Sequence, residues 1–507
     1  MNVKSRSFSF CFHLAIGVLL LSAAGTRAQA VADQSVVVNH KEGNREGPSR
    51  EQKVEEVDQL KSAIEQLRSV VAEQQRALAT MQKRLDELDN KVAATPTVSK
   101  SESFREVSAG NKDSKSLQSD SQTTSKDKPV AGWDKEKGHA FLRSGDGAFE
   151  TTIGGYAQLD YHGYQSGNHP PNTFLIRRAR LGVEGKLARY FDFKLEGDFS
   201  DAATPLRDFY VNIHRIDEFQ LRFGQFRVPI SQEELRGDAP QDFVERSMVN
   251  NLIPARSPGL MASGVLNKGA FEYQIGAFNG KGLLAQNNNG TPETAIRLRF
   301  TPWKNRGDFL SKGLSFGGAF TQGRTLGGTS VRGITESRSF TFFAPDAING
   351  KYIRANGELT WLLGPAAIRA EYDQTNQRRD NLGAGGGNLP GVVAKGYTAQ
   401  VTYVLTGEDK PDAASVAPKN KLFGDGNGKP GFGAWELKFR YANLQIADGT
   451  AKSNRAESFF FGPNWYMNRF VRYVLDLGFE RFKDPARSPK PGDKNFFVVL
   501  SRIQVAF

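Results

Sequence analysis

A transmembrane β-barrel of about sixteen antiparallel strands, preceded by an N-terminal α-helical coiled coil, is the fold class this 507-residue sequence predicts. Three observations predict it. From about residue 148 onward, apolar and charged residues alternate in segments long enough to cross a bilayer. After the N-terminus, no apolar run reaches the roughly 18–20 residues of a membrane helix. The first thirty residues have the form of an export signal.

The expected signal peptide spans 1–30. Lys4 and Arg6 open it, Phe8 to Ser22 is mostly apolar, and Ala28-Gln29-Ala30 offers a small-residue cleavage site. The single cysteine, Cys11, falls inside it, so the exported chain has no thiol, as suits an oxidising compartment. One Cys and six His also leave no zinc, iron–sulfur or disulfide framework, and no metal or cofactor is expected. Removing Lys4, Arg6 and Arg27 lowers the net charge from +12 by three, to +9. That excess favours anionic partners, and export argues against nucleic acid.

A flexible segment is expected over 31–53 and a coiled coil over 54–95. Val57, Leu60, Ile64, Leu67, Val71, Gln74, Leu78, Met81, Leu85, Leu88 and Val92 recur at spacings of three and four, with Gln74 the one polar member of the seam. Thr95-Pro96 ends the helix. Residues 96–147 have linker composition: Ser, Lys, Asp and Gln with few large apolar side chains.

The barrel segments follow. Leu175, Ala179, Leu181 and Val183 are expected to share one face, opposite Arg178, Arg180, Glu184 and Lys186. Ile368, Ala370 and Tyr372 oppose Arg369, Glu371 and Asp373. Trp435, Leu437, Phe439 and Tyr441 oppose Glu436, Lys438 and Arg440. The last strand sets Phe497, Val499, Ile503, Val505 and Phe507 against Arg502 and Gln504. A face charged along its whole length is intolerable in a packed core but suits a wet lumen. Segments begin near 150, 172, 190, 205, 219, 260, 269, 293, 312, 350, 365, 394, 432, 455, 470 and 493. Connections alternate between short, expected on the periplasmic side, and long, expected outside. The stretch 408–431, with Lys410, Lys419, Lys421 and Lys429, breaks the rule as a long turn on the short side. Within it, Asp425-Gly426-Asn427-Gly428 reads as a glycine-rich turn rather than a calcium loop, since no bidentate Glu follows.

Several strand motifs resemble the phosphate-selective porin O and P family. They are Phe174-Leu-Ile-Arg-Arg-Ala-Arg-Leu-Gly-Val-Glu-Gly-Lys186, Leu206-Arg-Asp-Phe-Tyr-Val211, Leu221-Arg-Phe-Gly-Gln-Phe-Arg-Val-Pro229, Phe243-Val-Glu-Arg-Ser247, Gly276-Ala-Phe-Asn-Gly280, Val404-Leu-Thr-Gly-Glu408 and Gly433-Ala-Trp-Glu-Leu437. They run in consistent order over about 148–507. The resemblance implies a homotrimeric porin of the Gram-negative outer membrane, with the N-terminal region periplasmic. It also implies an inward-folded loop and a basic constriction that passes phosphate or polyphosphate. It carries constriction roles onto Arg177, Arg178 and Asp208, with Arg236 near an expected lysine, and Lys419 and Lys421 in a lysine-bearing turn. Arg180 joins Arg178 on the polar face of the same strand. By alternation, Arg222, Arg297, Arg299, Arg369, Arg440 and Arg472 are further lumen cations. Inward acids such as Glu196, Asp198, Glu358 and Asp476 are expected to pair with many of them.

Expected partners are inorganic phosphate or similar anions, outer-membrane lipid and, through the coiled coil, peptidoglycan. A general or other-nutrient porin that tethers the outer membrane to the cell wall is the alternative reading. A hydrolase is not expected. His40, His139, His162, His169 and His214 remain after export, and none sits beside a motif serine, so no catalytic residues are assigned.

Overall fold

The computed structural model describes residues 128–507, apart from 135–137, 168–169, 202, 204, 425–429 and 450–453. The expected signal, flexible segment, coiled coil and most of the linker lie outside the described residues. So does the turn Asp425–Gly428.

Two short strands come first: β1 (Val130–Asp134) and β2 (His139–Arg143) form a hairpin inside the stretch assigned to the linker. The barrel follows: β3 (Glu150–Tyr164), β4 (Thr173–Leu187), β5 (Phe191–Asp198), β6 (Leu206–Ile216), β7 (Phe219–Arg227), β8 (Arg256–Leu266), β9 (Phe271–Phe278), β10 (Glu293–Phe300) and β11 (Leu314–Thr329). A small hairpin, β12 (Gly333–Ile334) with β13 (Thr341–Phe343), interrupts the series. Then come β14 (Ala347–Leu363), β15 (Ala366–Arg379), β16 (Leu389–Val404), β17 (Ala434–Ala447), β18 (Asn454–Tyr466), β19 (Val471–Phe482) and β20 (Asn495–Ala506). Every sequential barrel pair is antiparallel, and β20 closes onto β3, with Val498 opposite Tyr164 and Ala506 opposite Tyr156. The result is a closed sixteen-stranded barrel, β3–β11 with β14–β20, in which every barrel strand is paired on both sides. The β1–β2 hairpin extends the edge of β3 beside residues 150–153, beyond the reach of β20.

Each barrel strand starts within a few residues of its expected position. The short connections at Ala188-Arg189 and Asn267-Lys268 bend back through consecutive residues at positive φ. One further exception exists: the 301–313 connection is long although it lies on the short-turn side.

The two faces of the wall differ as alternation demands. Leu437, Phe439, Phe461, Phe479, Ile503 and Val505 are exposed on the outside, whereas Glu436, Arg440, Asp476, Glu480 and Arg502 are buried inside. Aromatics ring both ends of the outer band. Trp435 stacks on Trp465 at the short-turn end (ring centroids 5.2 Å apart), and Tyr441, Phe459, Phe479 and Phe497 stand directly across four strands toward the loop end. Six residues separate these girdles on a strand, roughly 20 Å of backbone and, at a tilt of about 40°, roughly 15 Å of barrel height.

Strand β4 departs from strict alternation. Gln158 pairs with Arg178 while Leu159 pairs with Ile176, so Arg177 is the extra residue of a β-bulge. The bulge turns both Arg177 and Arg178 inward. It also corrects the expected face: Phe174 and Ile176, not Leu175, continue the outward row of Ala179 and Leu181. The interior is not charged throughout, either. Leu444, Ile446, Phe460, Phe482, Phe496, Val498 and Leu500 form an apolar inner wall near the loop end.

The outer band yields a prediction. Phe439→Arg, near mid-band, should cost about 2–4 kcal/mol of stability in lipid, as cations do at the midplane of such barrels. Phe439→Leu should cost less than about 1.5 kcal/mol. Urea unfolding in phospholipid vesicles measures both, and equal small losses would contradict an outward-facing Phe439.

Candidate functional site

Loop 228–255, between β7 and β8, folds into the barrel. It begins with a single helical turn, α1 (Gln232–Leu235), capped by the Ser231 side chain on the Glu234 N–H. A 3₁₀ turn, Met248–Leu252, follows. Phe243, Val244, Met248, Val249 and Leu252 pack on the apolar inner wall, which also receives Phe342 and Phe343 of the β12–β13 hairpin. Loop 330–346 therefore also turns inward, although only its length was legible in sequence.

Hydrogen bonds pin the loop to the wall. Glu371 accepts from Ser231 Oγ (2.7 Å) and the Glu233 N–H (2.6 Å), Asp476 accepts from the Val244 N–H (2.7 Å), and Lys438 and Asn464 donate to the Asp242 carbonyl. The charges then organise around three loop carboxylates. Asp238 meets Arg178 (3.2 Å), Arg180 (2.6 Å), Arg227 (2.9 Å) and Arg246 (2.6 Å). Asp242 meets Lys410 (2.6 Å), Arg236 (3.2 Å) and Arg369 (3.5 Å). Glu245 binds Arg177 and Arg338. Burial alone would raise the pKa of each. The cations outweigh it and hold all three well below the ordinary carboxylate range: Arg246, Arg178, Arg180 and Arg227 for Asp238; Lys410, Arg236 and Arg369 for Asp242; Arg177, Arg338 and Arg178 for Glu245.

The expected residues separate into three groups. Arg177, Arg178 and Arg180 gather against the loop, each paired with a carboxylate, and Arg180 is also held by Asp198 (2.8 Å). Asp208 faces inward but is held at two points by Arg256 (2.8 and 3.1 Å). Arg236 is buried, bracing the loop to the long turn through the Asp412 carbonyl (3.0 Å). Lys419 does not join them. It is exposed, and its amine bonds the Gly407 carbonyl of its own turn (2.9 Å). Lys421 is half-buried in that turn, where its carbonyl accepts the Gly431 N–H. Among the described residues of this turn, Lys410 is the lysine that enters the barrel, bonded to Asp242 and to Glu436 (2.5 Å).

The other expected lumen arginines are mostly paired: Arg297 with Glu358, Arg299 with Asp412, and Arg440 with Glu336 and Glu233. Arg222 instead lies over the Tyr210 ring (4.4 Å). Arg472 bonds Gln504, with its Nε and Nη1 unpartnered, and Arg369 has its Nε free of acceptors. Among the described residues, one trio, Asp160, His162 and Glu245, brings potential metal-ligating atoms together. Its carboxylates are already engaged, Asp160 at both oxygens by Arg502 (2.7 Å each) and Glu245 by Arg177 and Arg338.

A closed sixteen-stranded barrel with a lipid-facing apolar band, a charged interior and inward-folded loops is a porin architecture. The family model for phosphate-selective porin O and P matches residues 151–507, and the chain belongs to that family. Membership makes it an outer-membrane anion porin. Among curated relatives, Porin O of Pseudomonas aeruginosa is 22% identical over 425 residues, 74% of this chain and 92% of that protein. An uncharacterized Aquifex aeolicus protein is 23% identical over 220 residues, 38% of this chain and 47% of its own. Solved structures with a similar barrel include the channel DcaP of Acinetobacter baumannii (TM-score 0.47, 11% identity, 71% of this chain and 98% of that one). An anion-selective porin from Comamonas acidovorans aligns with TM-score 0.42 and 16% identity over 70% of this chain and 99% of that one.

Two predictions follow from the loop geometry. Asp242→Asn leaves Arg236, Arg369 and Lys410 short of a counter-charge, and breaking such buried pairs costs about 3–5 kcal/mol. Single-channel recording should show larger, noisier conductance, and protease should cut within 228–255, whereas an unchanged trace would contradict the anchoring role. The second concerns pH. A depressed pKa contributes stability that is fully present above the free-carboxylate range of about 4 and is lost as pH falls below it. The loop should therefore stay protease-resistant from pH 7 down to about 4 and loosen only below that. Release near pH 6 would contradict the assignment.

Proposed function

We propose that this porin gives passive, anion-preferring diffusion of phosphate or polyphosphate, through a constriction formed where loop 228–255 meets Arg177, Arg178 and Arg180. The observation that carries this reading is which partner meets water in the ion pairs of Glu245, the carboxylate that holds Arg177. Glu245 is 1% exposed, whereas its partners Arg177 and Arg338 are 25% and 41% exposed. The same order holds at Asp238 with Arg227, Glu293 with Arg354, and Asp198 with Arg207. At these four carboxylates a permeating ion meets guanidinium N–H groups first, whereas at Arg299–Asp412 and Arg440–Glu233 the carboxylate is the more exposed partner.

Forked guanidinium donors match phosphate oxygens, and a low-dielectric wall strengthens the contact. Their pairing with carboxylates keeps each site weak. Throughput needs this, since a single tight site would trap the ion. The unpartnered buried donors of Arg369 and Arg472 add support. A homotrimer, a periplasmic N-terminal region and peptidoglycan attachment through residues 54–95 belong to the same proposal. They rest on the family resemblance and the heptad pattern rather than on the barrel.

Planar-bilayer recording tests the reading. A potassium chloride gradient should give an anion-preferring reversal potential, and added phosphate should lower the chloride current. In Arg177→Gln/Arg338→Gln both effects should weaken. A cation-preferring wild type would overturn the reading and leave the barrel intact.

A further inference from the structure

The outer surface carries a cluster that transport leaves unused. On β11, β14 and β15, Arg324, Lys351 and Arg378 all face outward and are exposed. Arg324 stands directly opposite Lys351. Arg378 lies beside Lys351, bracketed by the pairs Tyr352–Gln377 and Asn349–Arg379. None of the three has an ion-pair partner among the described residues. Like charges directly opposed destabilise a sheet pair, so this row calls for an external anion.

Its position says which anion. The row lies on the loop side of the apolar band: Arg324 is four residues beyond Phe320, about 13 Å along the tilted strand. In barrels of this kind the long loops face outward, so this is the outer leaflet's headgroup level. Two adjoining depressions meet there and share Lys351 and Arg378. One carries Arg324, Gln322 and Asp380 along its rim, and the other carries the outward-facing Ile353 and Val393. Cations above and aliphatic side chains below suit a molecule with phosphoryl groups on a hydrocarbon body. Asp380, half-buried beside Gly350, is the one acid lining the site and leaves it net positive.

We infer that Arg324, Lys351 and Arg378 form a binding surface for a phosphorylated outer-leaflet lipid, its phosphoryl groups against the three cations and its acyl chain along Ile353 and Val393. Only the outward orientation of the loop end is shared with the functional reading; anion selectivity plays no part.

The test uses the full-length protein in detergent, titrated with diphosphoryl lipid A, with dephosphorylated lipid A and with inorganic phosphate, and read by native mass spectrometry. The wild type should retain the diphosphoryl lipid and neither of the other two. Arg324→Gln/Lys351→Gln/Arg378→Gln should weaken retention on the order of a hundredfold, because each basic side chain at a charged membrane surface contributes about a factor of five. Its conductance and ion selectivity should not change. Should the triple variant fail to fold, the three single variants should each weaken retention about fivefold. Equal retention of both lipids, retention unaffected by the substitutions, displacement by inorganic phosphate, or dissociation of an oligomer without lipid loss would overturn the inference.

Discussion

Cations fixed on a wall that is sealed from outside by lipid must find counter-charges inside the barrel, and loop 228–255 brings them. Asp238, Asp242 and Glu245 each collect two to four wall or loop cations. These contacts, with the packing of Phe243, Met248 and Leu252 on the inner wall, place the loop across the lumen. Without the carboxylates the arginines would repel one another in a low-dielectric enclosure, and without the arginines the loop acids could not stay ionised there. The loop and the wall cations it meets are one electrostatic object.

At Glu245 that object has a sidedness: the carboxylate is buried and its two guanidinium partners are partly exposed. Pairing neutralises charge over several ångströms but not at the surface an ion touches. At Glu245, Asp238, Glu293 and Asp198 a guanidinium is the more exposed partner, whereas at Asp412 and Glu233 the carboxylate is. Arg177 illustrates how the fold arranges this: a bulge in β4 supplies an extra inward residue next to Arg178, where regular pleating would have aimed one of the two at lipid.

The wall was legible because period-two alternation is what a two-solvent sheet imposes on every residue, so strands such as β15, β17 and β20 could be read one residue at a time. What resisted reading was whatever does not repeat. The bulge at Arg177 leaves no local mark, and it shifted the face of Leu175. The inner apolar wall did leave one, the unbroken run Phe496-Phe497-Val498-Val499-Leu500, which signals a strand buried on both faces at its loop end. The inward turn of loop 330–346 follows from that wall and was missed with it. Of the expected constriction residues, those on strands kept their inward direction. Lys419, in a turn with no period, proved to brace its own backbone while Lys410 enters the lumen. The acids of 233–245 stood in the sequence as a dense cluster, and a lumen crowded with arginines needed them.

The central claim is that outward alternates touch lipid while inward ones line an aqueous path of positive potential. The chain's single cysteine, Cys11, falls within the expected export signal. Engineered thiols at 177 and 439 in the chain without that segment therefore report their own surroundings. In native membranes, a water-soluble, membrane-impermeant thiol reagent should label Arg177→Cys and not Phe439→Cys. At 177 an anionic reagent should react faster than its cationic analogue. Labelling of 439 from water, or a faster cationic reaction at 177, would contradict the account.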